Sequence, residues 1–89
     1  MKLIIAHGFY GHMELLTDEK VKTGPFQGLD QRQMFEKIMR EGYGNNVPAV
    51  FFAERTDGTV TRAVGKDAAG LIDDPGVAEV TVIAPIAGG

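Results

Sequence analysis

Apolar residues in this chain come in short runs, each closed by glycine, proline or an acidic turn. The first run, Leu3 to Ala6, ends at His7-Gly8 and predicts a strand over 2–7. Gly8-Phe9-Tyr10-Gly11 is turn chemistry, and Met13-Glu14-Leu15-Leu16 resumes as a second strand antiparallel to the first. The polar stretch Asp18 to Thr23 either prolongs that strand or forms a loop, and Thr23-Gly24-Pro25 interrupts it. The period then changes. Met34, Phe35, Ile38 and Met39 fall on one face of a helix at about 30–41, with Arg32, Glu36, Lys37 and Arg40 on the other. Asp30 is placed as N-cap and Gln33 completes a capping-box spacing. Glu36 and Arg40 form an i,i+4 pair, and Gly42 is the expected stop. The two methionines are core residues, because a lone helix in a small domain must bury its apolar face.

After a Gly44-Asn45-Asn46 loop, Pro48 opens a third strand over 49–54. A hairpin turn at Thr56-Asp57-Gly58-Thr59 leads to a fourth strand, 60–64, with alternating faces. Residues 65–72 read as loop with brief helical turns, and Asp73-Asp74-Pro75-Gly76 as a surface turn. The last strand, 78–85, is rich in β-branched residues, as a doubly covered central strand requires. Pairing should fade at Pro85, which has no N–H to donate. The slender segment Ile86-Ala87-Gly88-Gly89 follows as a flexible tail. The order strand, strand, helix, strand, strand, strand predicts an α+β fold with a mixed sheet of four or five strands and one covering helix. The first and last strands have the best claim to the centre. As neighbours they would run parallel, the β-grasp arrangement.

The 89 residues suffice for one domain, 1–85 ahead of the tail, with a single core. A hydrophobic share of 44% with 24% charged residues is that of a folded globule. The net charge of −3 removes nucleic acid from the expected partners, since a binder of phosphates needs a basic face. Without cysteine there is no disulfide, thiolate metal site or cysteine nucleophile. The N-terminal apolar run is too short for a signal peptide or a membrane span, so the expected location is the cytoplasm.

The candidate chemistry is sparse. His7 and His12 flank a turn, but two ligands without a third make no metal site, and both read as ordinary turn or strand-end residues. Asp73-Asp74 reads as a solvated turn. Gly8 to Gly11 lacks the lysine and hydroxyl residue of a phosphate loop. Phe9 and Tyr10 are expected to be exposed and, with Pro85, to anchor a partner. No catalytic constellation or cofactor site is expected. The tail offers the remaining chemistry: Gly89 presents a carboxylate that only a separate ATP-dependent enzyme could activate, which would make the protein a carrier rather than a catalyst.

Two resemblances sharpen this. Ile4-Ile5-Ala6-His7-Gly8, Tyr10-Gly11, Glu14-Leu15 and the closing Val80-Thr81-Val82-Ile83-Ala84-Pro85-Ile86-Ala87-Gly88 resemble the ubiquitin-like N-terminal domain of tail assembly proteins of lambda-like phages (the protein I type). That resemblance implies a tail-tip assembly factor working through protein contacts in the host cytoplasm. Gly88-Gly89 would be its docking point or the site of cutting by a tail-associated protease. The ending Pro85-Ile86-Ala87-Gly88-Gly89 is also similar to that of the small sulfur-carrier subunit of molybdopterin synthase, the thiamine-pathway sulfur carrier and ubiquitin-like modifiers. It implies, as the alternative, adenylation and thiocarboxylation at Gly89 by an E1-like activating enzyme, or conjugation to target lysines.

Overall fold

The chain's first strand, β1 (Lys2–His7), and its last, β5 (Val77–Ile83), lie side by side and parallel, with Leu3 opposite Val80 and Ile5 opposite Val82. These two most apolar strands take the interior of a five-stranded mixed sheet. β2 (Gly11–Leu16) pairs antiparallel with β1 on one side. β3 (Val50–Arg55) pairs antiparallel with β5 on the other, and β4 (Val60–Val64) forms the far edge, giving the order β2-β1-β5-β3-β4. This is a computed structural model, and it describes residues 1–43 and 47–84. The expected loop at 44–46, the interface residue Pro85 and the tail 86–89 lie outside the described residues.

One helix, α1 (Gln31–Glu41), covers one face of the sheet. Its start is fixed locally. The Asp30 carboxylate accepts from the Gln33 amide at 2.8 Å, and the Gln33 side chain accepts from the Asp30 amide at 2.9 Å. Met34, Phe35 and Ile38 are fully buried, together with Leu3, Ile5, Phe51, Ala53, Val80 and Val82 of the strands. The Phe35 and Phe51 rings meet at 5.0 Å. Met39 is only half-buried, at the edge of this core. Gln31, read merely as the first helical residue, is buried and donates to the carbonyls of Met1 (2.8 Å) and Leu15 (3.0 Å). One amide thus ties the helix to the β1–β2 hairpin and satisfies acceptors that burial would otherwise leave unpaired.

Several local expectations change. β2 begins at Gly11 rather than Met13, and β5 runs 77–83 rather than 78–85. Asp18 to Thr23 does not prolong β2. It is loop, held by a bridge between Lys20 and Asp30 and by backbone bonds between Val21 and Leu29 (2.9 Å) and Gly28 and Val21 (2.8 Å). Glu36 pairs with Arg32 at 3.5 Å instead of Arg40, whose guanidinium turns to the Glu36 carbonyl. Residues 65–73 contain two short 3-10 turns, Gly65–Ala68 and Leu71–Asp73, which bury Ala68 and Leu71 at the core edge. Among the described residues no helix is long and apolar enough to cross a membrane.

Candidate protein-contact rim

The end of the sheet where β1 and β5 finish gathers most of the aromatic residues. β1 stops at His7, and the Tyr10 amide donates back to the His7 carbonyl at 3.0 Å, closing a tight turn. Gly11 completes the reversal at φ 82°, a left-handed conformation that a side chain would oppose. The turn separates its two aromatics. Phe9 points out, 54% exposed, whereas Tyr10 is 3% exposed.

The expectation that both rings are exposed therefore holds for Phe9 alone. Tyr10 packs between the rings of His7 (5.1 Å), Phe9 (4.9 Å) and Phe26 (5.3 Å). Its hydroxyl donates to Glu41 at 3.3 Å. Burial, with the Glu41 charge and hydrogen bond second, pushes the Tyr10 phenol up to about 12. Lys37, 2.9 Å from Glu41, holds that carboxylate below its usual range and also lies over the Phe26 ring at 5.7 Å.

A residue not singled out from the sequence, Tyr43, completes the cluster. Gly42 ends α1 at φ 58°, and its amide still bonds the Ile38 carbonyl at 2.8 Å. This swings Tyr43 back over the sheet end. Its ring stands 4.8 Å from that of His7 at 79°, and its hydroxyl lies over Gly8, 3.5 Å from where a Cβ would stand. The Tyr43 amide bonds the Val47 carbonyl at 2.8 Å, so Val47 is tied to the same end. Phe9, Tyr43 (36% exposed) and Val47 (37%) are the large apolar side chains the rim leaves open. β5 leaves the sheet on this rim: Ile83 pairs with Ala6, one residue before His7, and with Val50, the first residue of β3. An open cleft of about 300 Å³ adjoins it, lined by Arg40, Glu41, Gly42, Val47, Pro48 and Lys66 among others.

The remaining candidates do not converge. His7 is not an ordinary strand-end residue. It is 1% exposed, on the helix-covered face, and burial lowers its pKa. His12 pairs with Ala6 and so lies on the opposite face, exposed, which keeps the two imidazoles apart. Asp73 and Asp74 are not one cluster either. Asp73 pairs with Arg32, and Asp74 with Arg55 at 2.7 Å while also accepting from the Gly76 amide at 2.8 Å. Among the described residues no group of three or more potential ligands could hold a metal ion. The sequence signal for Tyr43 was an aromatic placed directly after a helix-stopping glycine. No family model, curated protein or solved structure matches this chain.

Proposed function

We propose that the chain is a β-grasp, ubiquitin-like protein that acts by gripping other proteins, as a tail-tip assembly factor similar to the N-terminal domain of lambda-like phage tail assembly proteins. One observation carries this: the central strand β5 ends, at Ile83, on the rim where Phe9, Tyr43 and Val47 are exposed. Exposed aromatics held rigidly by neighbours make good contact anchors, because little side-chain entropy is lost when a partner covers them. The strand order β2-β1-β5-β3-β4, with one helix on one face, supports the β-grasp assignment. In this reading Pro85 to Gly89 extends the contact, and Gly88-Gly89 is the docking or processing point. Co-purification with phage tail-tip proteins expressed alongside it tests the proposal. Phe9→Ala should weaken capture at least about tenfold while leaving the fold intact; unchanged capture would refute it.

The Gly88-Gly89 sequence favours one second reading, a sulfur carrier thiocarboxylated at Gly89 by an E1-like activating enzyme. Incubation with ATP, sulfide and the cognate activating enzyme should then add about 16 Da, the exchange of oxygen for sulfur at the carboxylate. A ubiquitin-like modifier would instead appear as a conjugate on target lysines.

A further inference from the structure

We infer that His7 is a proton-operated latch on the rim: a proton added at Nδ1 removes the acceptor that holds the Phe9 amide and opens the turn at residues 8–10 together with its Tyr43 cover. The inference rests on the rim being the contact surface and describes its regulation.

The geometry fixes the resting state. His7 Nδ1 accepts from the Phe9 amide at 3.3 Å, so it carries a lone pair and the ring is neutral with its hydrogen on Nε2. Nε2 is buried and has no hydrogen-bond partner among the described residues. The rings of Tyr10 and Tyr43 pack against the imidazole at steep angles, 63° and 79°. An imidazolium here would carry two buried N–H groups without an acceptor among the described residues, one of them directed at the Phe9 N–H. The added proton comes from solvent and ends on Nδ1; no covalent bond changes.

Among the described residues the surroundings do not supply a counter-charge. From the turn, Tyr10 faces the imidazole, but its hydroxyl donates to Glu41. From the segment after α1 there is Tyr43. From α1 itself Glu41 reaches the cluster through the Tyr10 hydroxyl and is already paired with Lys37. β2 presents Gly11 opposite His7 and turns His12 to the other face, while β5 presents Val80 and Val82 on the shared face. Attraction of the imidazolium to the two tyrosine rings opposes opening but replaces neither the lost hydrogen bond nor the lost hydration. Depression of the His7 pKa by burial agrees with this balance. Opening displaces Phe9 and Tyr43, the exposed anchors, so acid should release a partner held there.

The test uses the isolated full chain and no partner. Ring ¹⁵N shifts of His7 and the exchange protection of the Phe9 amide are followed from about pH 8 to about pH 4. The expected result is an Nε2–H tautomer at high pH and a His7 midpoint below 6.5. A drop of at least tenfold in Phe9 protection should share that midpoint, while core amides such as Val82 stay far better protected than Phe9 throughout. His7→Asn, whose Oδ1 stands where Nδ1 does and cannot titrate, should hold Phe9 protection throughout; His12→Gln should retain the transition. A His7 midpoint at or above 6.5 would overturn the latch. So would Phe9 protection that is indifferent to His7 titration, or core amides that fall to the same protection as Phe9 at that pH. If His7→Asn does not fold, the wild-type and His12→Gln titrations decide alone. A failed latch leaves the Phe9→Ala capture result standing, and a failed capture leaves the titration standing, so the two are told apart.

Discussion

Tyr10 shows how one side chain can carry both packing and charge. Phe in its place keeps the ring contacts with His7, Phe9 and Phe26 and loses only the bond to Glu41, so Tyr10→Phe should cost about 1 kcal/mol near neutral pH. The pH dependence is more telling. Folding raises the phenol from 10.0 to about 12, so the folded state holds the proton longer than the unfolded one. Stability is therefore complete below pH 10 and is lost as the pH rises toward 12, and Tyr10→Phe should be spared that loss in alkaline denaturation. His7 acts at the other end. Its folded pKa is depressed, so the unfolded chain binds the proton first, and stability falls as the pH drops below 6.5 toward the folded value. Gly42 is the backbone counterpart. At φ 58°, a Cβ there would lie 2.3 Å from the Val47 carbonyl oxygen, so Gly42→Ala must displace the segment carrying Tyr43 and Val47. It should cost upward of about 1–3 kcal/mol in chemical denaturation and disturb the rim before the core.

Among the elements, α1 and the strands were legible because their signals are local. Asp30 and Gln33 mark the helix start without reference to the rest of the chain, and Met34, Phe35 and Ile38 define its inner face. Asp30→Ala should cost about 1 kcal/mol. Gln31→Ala should cost more, about 1–3 kcal/mol, since it leaves two carbonyls short of a donor, one of them in a buried bond; urea midpoints of the two variants would rank them. Gln31 looked like an ordinary polar residue because its partners, Met1 and Leu15, lie 30 and 16 residues away along the chain. Tyr10 was misjudged for the same reason: Phe26 and Glu41, which bury it, lie far away in sequence. The segment 18–30 has no periodicity to read. Its conformation depends on backbone bonds such as Val21 to Leu29 that sequence spacing does not announce.

At the scale of the whole molecule, the parallel β1–β5 pair is what sets the rim apart. It brings the first turn of the chain and the exit of its last strand to one end of the sheet, while the helix stop adds Tyr43 there. The opposite end offers a matched control, since Val60, paired with Glu54, is 62% exposed but stands away from the aromatic cluster. The most direct measurement is site-specific photo-crosslinking. A benzophenone side chain replaces Phe9, Tyr43 or Val60 in turn, with tail-tip proteins of the proposed class expressed in the same cells. Covalent adducts with a tail-tip protein from positions 9 and 43, and none from position 60, are the predicted result. Adducts of equal yield from position 60, or none from position 9, would contradict it.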